Sequence, residues 1–425
     1  MCRTSNKHQS SYTTDASAYQ LDASIGDLFR SHAEDYIRIY NPPINHIKLI
    51  RAIRVCRTPA LGGKKVICED CGVTKSIYYS CGHSQCPLCQ NIKRNLWQEK
   101  LSEKFLNVPY THTVFTIAHE LNTLAKLNKG IIYNITIRAA WQTIKTLTAD
   151  PNNLGALPGM VTVLHTFGSD MKYHIHVHAL ITFGGVDDSG NWYWPKHKNK
   201  LAPYKKISNT YRDIFIEMVR KEIDKNNLNL LPDTEEVLDL VKKKRWNVRN
   251  AYPTADTEIL ERYLARYINR IAISKSRLSY IAKAQKNNNY VNIVYKDYKN
   301  KRKGEAAKLA NKSVQPLVAI HQFLQHVLPP YFQKSRYYGL HHHTTFKRLG
   351  DKIPDKIKRN TETIRIICQL ISIISGVKPY ACAACGGTNF ETKAIRADQK
   401  WIFNFITIPS YRGPPMKVKT QSIKF

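Results

Sequence analysis

Acidic residues are scarce in this chain. Asp and Glu number 32 against 65 Lys and Arg across 425 residues, leaving a formal net charge of +33. An imbalance of that size says little about fold and much about partners: it asks for a polyanion, and nucleic acid is the simplest one. Long apolar runs are also missing. The most apolar stretch, Ile364 to Val377, carries Arg365 and Gln369 and is shorter than the roughly 20 residues needed to cross a bilayer. There is no basic amphipathic anchor, so a membrane partner is not expected. The opening MCRTSNKHQSSYTTDAS has no apolar signal-peptide core. No GxxxxGK[ST] loop occurs, so no nucleotide cofactor is expected. Internal repeats are absent. The expectation is a cytoplasmic, nucleoid-associated protein whose thiols stay reduced.

What is present suits a folded protein of two or three domains: 43% of residues are hydrophobic. Residues 1–25 read as a polar, flexible arm. From Ile25 to Arg57 the apolar spacing is helical, interrupted at Asn41-Pro42-Pro43. Residues 90–105 and 133–148 also read as helices. YTHTVFTI (110–117) reads as a strand. MVTVLHTF (160–167) and HIHVHALITF (174–183) read as two strands of a hairpin. A basic, mostly helical stretch spans 196–244, a helix 256–273 and a strand 289–298. The remainder, 299–425, reads as a largely helical basic region.

Ten cysteines need a use in a reducing compartment. Six form Cys-x-x-Cys pairs, a spacing that suits metal better than disulfides. Cys68/Cys71 and Cys86/Cys89 are separated by fourteen residues, and two such knuckles can close a tetrahedron of thiolates around Zn²⁺. The preferred set is Cys68, Cys71, Cys86 and Cys89, a closed structural site. Cys81 and His83 lie between the knuckles and could replace or support a ligand. Cys382/Cys385 is half a site, which Cys368 or a distant histidine could complete, but ordinary packed thiols are the favoured reading of this pair.

KYHIHVHALITFGG (172–185) carries histidines at every second position. A strand turns alternate side chains to one face, so His174, His176 and His178 share a face while Ile175, Val177 and Ala179 line the other. Imidazoles at i and i+2 form a ready ligand pair for a divalent ion with open positions, able to polarise a phosphate oxygen. Asp170 and His165 are candidates for the third ligand.

In ERYLARYINR, Tyr263 and Tyr267 lie four apart on the expected helix, about 5–6 Å apart at Cβ. Arg262, Arg266 and Arg270 form a parallel row that could contact a DNA backbone. Both tyrosines could be ordinary core residues. Beside an ion, however, a tyrosine could attack a phosphodiester and become covalently attached. Arg336, Tyr337 and Tyr338 could stack on bases or simply pack, and His341-His342-His343 reads as an exposed loop.

This ordered set resembles the HUH tyrosine transposases of rolling-circle insertion sequences, the insertion-sequence ninety-one family. The likeness runs from CRTPALGG (56–63) through SCGHSQCPLCQ (80–90), HTVFTIAHELN (112–122), the histidine stretch (165–185), YLARYINRIAISKSRL (263–278) and FLQHVLPPYFQKSRYYGL (323–340), and extends to CAACGG (382–387). It implies an α+β fold: an HUH-endonuclease-like antiparallel sheet with flanking helices, preceded by a zinc-binding module (26–105). The catalytic domain would span 106–298 and the basic, mostly helical region 299–425. His176-Val177-His178 match the HUH motif, with His174 a neighbour. Tyr263 and Tyr267 match the nucleophiles, and Cys68, Cys71, Cys86 and Cys89 the zinc module. The implied cofactors are structural Zn²⁺ and catalytic Mg²⁺ or Mn²⁺. The implied partners are single-stranded or hairpin element ends, with host replication machinery, in a bacterial cell. The implied reaction proceeds through a 5′-phosphotyrosine. The sequence departs from the family at Cys81-Gly-His-Ser-Gln-Cys-Pro, at Lys64, and at Ile175 after His174. A replication initiator or relaxase, and a zinc-dependent DNA-binding protein without catalysis, remain alternatives.

Overall fold

The computed structural model describes residues 25–89, 105–255, 272–273, 277–281, 290–298, 300, 305–358 and 381–398. Helices α1 (Ile25–Tyr40) and α2 (Ile44–Val55) open it. α1 buries Leu28, Phe29, Ala33 and Tyr36, a spacing that keeps one helical stripe inward. The helices part where expected: Asn41 takes φ +38, and two prolines follow that cannot donate to the preceding turn. A hairpin of β1 (Gly63–Cys68) and β2 (Thr74–Tyr78) follows.

The centre of the molecule is an antiparallel sheet. Its strands are β3 (Tyr110–Thr116), β4 (Leu157–Phe167), β5 (Tyr173–Val186), β6 (Trp192–Tyr193), β7 (Val248–Asn250) and β11 (Ser335–Gly339). The order is β11-β4-β5-β3-β7, with β6 on the end of β5. Helices α3 (Asn122–Leu127), α4 (Lys129–Ala149), α5 (Tyr204–Asp224) and α6 (Thr234–Lys243) complete this half of the chain. Ile175, Val177, Ala179 and Ile181 of β5 join Phe115, Met160 and Leu164 in one core with Ile137, Ile144, Tyr211 and Phe215 of α4 and α5. On the opposite face, Val161, Val163 and Leu180 pack with Leu106, Val108, Leu340, Leu349 and Ile353. Both faces are covered, so β4 and β5 are buried along nearly their whole length.

A second sheet, β8 (Leu278–Ile281), β9 (Tyr290–Lys296) and β10 (Leu309–Val314), is followed by α7 (Pro316–Leu324). Leu278, Val291 and Ile293 share a core with Phe29, Ile50 and Ile53 of the first helices and Ile320 and Phe323 of α7. Helix α8 (His343–Leu349) and strand β12 (Phe390–Ile395) end the described chain. The strand reading of 289–298 and the hairpin of 160–167 with 174–183 match β9, β4 and β5. The reading of 299–425 as largely helical is corrected: its described parts contain β10, β11 and β12 beside α7 and α8. The reason is pairing at a distance. β11 extends the central sheet along β4, and β12 adds to β1; neither strand has a hairpin partner next to it in sequence. The helix expected at 90–105 and nearly all of that at 256–273 lie outside the described residues.

His326, just after α7, is buried where the two halves meet. Its Nε2–H donates to the Met171 carbonyl at 3.0 Å and the Thr166 hydroxyl donates to its Nδ1 at 3.3 Å. Burial pushes its pKa from the ordinary 6.5 down to about 3, so the folded protein holds it neutral. A lowered histidine pKa means that the unfolded chain binds the extra proton. The stability from His326 is therefore full above pH 6.5 and drains away as the pH falls from there toward 3. Chemical denaturation in steps from pH 7 to pH 5 should show that decline, and His326→Gln should lessen its slope. An equal slope in the variant would assign the acid sensitivity to other groups.

Candidate metal centres

The register of three strands gathers the histidines. His165 on β4 stands opposite His176 on β5, and Val163 opposite His178. His165, His176 and His178 each offer a ring nitrogen, and the three lie within 4.8 Å of one another. Their ring centroids are 4.6 to 5.2 Å apart. His165 is 3% exposed and His178 8%; His176 is half-buried. The third member is thus His165, one of the two candidates from sequence.

The hydrogen bonds decide which nitrogens face an ion. His176 Nδ1–H donates to the His174 carbonyl at 3.0 Å, which leaves the Nε2 lone pair for coordination. His178 Nδ1 lies 3.0 Å from His112 Nε2 on β3, with the two rings stacked. Burial lowers the His112 pKa to about 4, so His112 is neutral and can accept from His178 Nδ1–H. That tautomer leaves the His178 Nε2 lone pair for coordination. A ligating histidine whose other nitrogen is anchored by a hydrogen bond is the usual arrangement at metal sites. His112 was not singled out from sequence. In THTVFT a lone strand histidine carries no signal, because its value depends on β3 lying beside β5.

His174 and Asp170 are not in this group of three, although the His174 ring stands 5.0 Å from that of His176. The pairing of β4 with β5 slips between His165 and Phe167, so that His174 and Ile175 stand against Thr166 alone. The side chain of His174 is exposed, its ring stands beside that of His176, and its carbonyl accepts from His176 Nδ1–H. Asp170 lies in the turn before β5. Its carboxylate accepts from the Lys172 backbone N–H at 3.2 Å and pairs with Lys172 Nζ at 3.6 Å. Tyr263, Tyr267, Arg262, Arg266 and Arg270 lie outside the described residues.

The cysteines are divided differently from the expected single set. Cys86 and Cys89 join Cys56 and Cys81, whereas Cys68 and Cys71 stand with Cys382 and Cys385; in each foursome the sulfurs lie within 4.8 Å of one another. The hairpin explains the division. Cys68 ends β1, while Cys81 follows β2 back at the other end. At about 3.3 Å per residue, a six-residue strand holds its ends about 17 Å apart. Cys56, Cys86 and Cys89 belong to the core of α1 and α2, and the Sγ atoms of Cys81 and Cys89 are 3.7 Å apart. Four thiolates at about 2.3 Å from Zn²⁺ stand about 3.8 Å from each other, so this foursome fits a closed structural zinc.

The remaining candidates pack. Tyr338 stacks on Trp141 at 5.2 Å and Arg336 covers the Phe332 ring at 5.4 Å. His341, expected in an exposed loop, is buried with Nε2 3.2 Å from the Tyr110 hydroxyl. Among the described residues no helix is long and apolar enough to cross a membrane.

Comparison with known proteins agrees with this division of labour. A family model described as a putative transposase matches residues 159–348, and one described as a transposase zinc-binding domain matches residues 28–117. The putative transposase y4qJ of Sinorhizobium fredii is 32% identical over 326 residues, 74% of this chain and 79% of that protein. The transposase for insertion sequence element IS801 of Pseudomonas savastanoi pv. phaseolicola is 22% identical over 366 residues, 82% of this chain and 84% of that protein. No solved structure matches. The span matched by the zinc-binding domain holds Cys56, Cys81, Cys86 and Cys89, and also Cys68 and Cys71.

If His112 orients His178, then His112→Ala should weaken divalent-ion binding at the triad by about 10–100-fold. Calorimetric titration with Mn²⁺ of protein that keeps zinc on its cysteines but has no ion on the histidines measures this directly. An unchanged affinity would remove His112 from the site.

Proposed function

This chain belongs to the insertion-sequence IS91 family of transposases, with an N-terminal zinc-binding domain, and from that premise we propose that it is a metal-dependent tyrosine nuclease and strand transferase. Its substrate is single-stranded or hairpin DNA at the ends of the mobile element. The observation that carries this reading is the meeting of His165, His176 and His178 on two paired strands. Three imidazoles with no carboxylate among them suit Mn²⁺ better than Mg²⁺, which favours oxygen ligands. An ion held there supplies Lewis-acid polarisation of the scissile phosphate.

The protein residues do the rest. The phenolic oxygen of Tyr263 or Tyr267 loses its proton and bonds to phosphorus, while the bond from phosphorus to the 3′ oxygen breaks. That oxygen takes up a proton and leaves as a free 3′-OH. The 5′-phosphotyrosine keeps the bond energy, so no nucleotide is consumed, and the 3′-OH can prime host replication. The second tyrosine opens the target or the other element end, and exchange between the two joints completes rolling-circle transposition. Arg262, Arg266 and Arg270 hold the DNA backbone, helped by a chain of net charge +33.

Covalent capture tests the proposal. Protein is incubated with labelled single-stranded element ends and Mn²⁺, denatured, and examined for DNA at protein size. The adduct should need metal and vanish in the Tyr263→Phe, Tyr267→Phe double variant. His176→Ala should slow its formation by about 10³-fold, the value of several kcal/mol of lost charge stabilisation. An adduct that persists in the double variant would refute the tyrosine assignment. Tight DNA binding with no adduct would instead establish a zinc-dependent binding protein without catalysis.

A further inference from the structure

The second cysteine foursome is not accounted for by the zinc-binding domain, since Cys382 and Cys385 lie far beyond its residues 28–117. We infer that Cys68, Cys71, Cys382 and Cys385 bind a second structural zinc. In this site the N-terminal module and the C-terminal segment each supply one half.

The distances match the ion. Cys68 Sγ is 3.7 Å from Cys385 Sγ, and Cys71 Sγ is 3.7 Å from Cys382 Sγ. Sulfurs on a zinc tetrahedron stand about 3.8 Å apart, whereas a disulfide would bring them to about 2.0 Å. Ordinary packing of reduced thiols does not account for the cluster, because Cys71 and Cys385 are exposed. Each stands against a partner from the other end of the chain.

The backbone makes the same turn twice. Gly72 N–H donates to the Cys68 carbonyl at 2.8 Å, and Gly386 N–H to the Cys382 carbonyl at 2.8 Å. Cys68 N–H donates to the carbonyl of Val73, five residues on, and Cys382 N–H to that of Gly387, also five residues on. Both loops reverse at a glycine in the left-handed region, Gly72 at φ +72 and Gly386 at φ +78. Neither glycine has an atom within 4 Å of where a Cβ would stand, so the backbone conformation and not space requires them. Each Cys-x-x-Cys-Gly loop is thus a knuckle that points two sulfurs at one centre, and the two knuckles face each other. The strands agree: β12 follows the second knuckle and pairs antiparallel with β1, which leads into the first, from Gly63↔Ile395 to Cys68↔Phe390. Four thiolates fill the coordination sphere, so the ion is structural.

This inference does not depend on the nuclease reading, and full-length wild-type protein tests it. Metal analysis should find two zinc ions per chain. Alkylation with iodoacetamide, mapped by mass spectrometry, should spare Cys71 and Cys385 despite their exposure, together with Cys68 and Cys382, until a chelator is added. One zinc per chain would overturn the inference. So would alkylation of Cys382 and Cys385 in the zinc-loaded protein as fast as after chelation. In the Cys382→Ser, Cys385→Ser double variant, zinc content should halve and Cys68 and Cys71 should become reactive, with Cys56, Cys81, Cys86 and Cys89 still protected. Retention of both ions in that variant would also overturn it.

Discussion

Everything near the histidines depends on a single constraint: β5 is buried on both faces. A strand turns successive side chains to opposite sides, so β5 serves two environments along one length. Its odd positions, Ile175 to Ile181, belong to the helix-covered core. Its even positions begin as histidine and end in Leu180, beneath the smaller core of residues 106–110 and 340–357. Buried imidazoles are costly unless their nitrogens are engaged. Carbonyl, imidazole and neighbouring ring contacts meet that requirement, and the same contacts fix the tautomers an ion needs. Packing and function therefore place the same demand on this strand.

The N-terminal module answers a different constraint. The β1–β2 hairpin has little apolar surface to bury, and β2 is exposed at nearly every position. A hairpin of that kind is marginal by itself. The Cys56 foursome fixes its base to the core of α1 and α2, while β12 supplies a third strand along its length. Zinc binding at such a site contributes directly to folding, because the ligand geometry does not exist in the unfolded chain. The foursome at the hairpin tip extends that logic across the whole sequence, tying the first strand to the last.

What was legible in the sequence was local. The break at Asn41-Pro42-Pro43, the hairpin of β4 and β5, and the alternation of the histidines all follow from periods and turn residues read within a short window. What escaped was set by long-range register. His112 becomes a partner of His178 only because β3 pairs with β5. The cysteines show the same limit more sharply. Six of the eight described cysteines lie between residues 56 and 89, and nearness in sequence favours pairing the two knuckles there. The five-residue strand β2 between them keeps the knuckles apart, and a strand from residue 390 onward brings the missing half. β11 and β12 were read as parts of a helical region for the same reason, since their partners lie far back in the chain.

The kinds of ligand divide the work between the sites. Four thiolates on Zn²⁺ leave a complex of net charge about −2 with no open position, so it neither attracts a phosphate nor has room for one. Three neutral imidazoles leave the charge of a divalent ion near +2 with positions open to oxygen. In a chain already carrying +33, the general field gathers a polyanion but does not say where along the surface it should react. The donor sets supply that distinction. On the proposed reading the sulfur sites hold shape and do not attract DNA, while an ion on the histidine face would bring positive charge and open coordination together. Among the described residues, the place where a phosphate drawn in by the overall charge would meet such an ion is then the group of His165, His176 and His178.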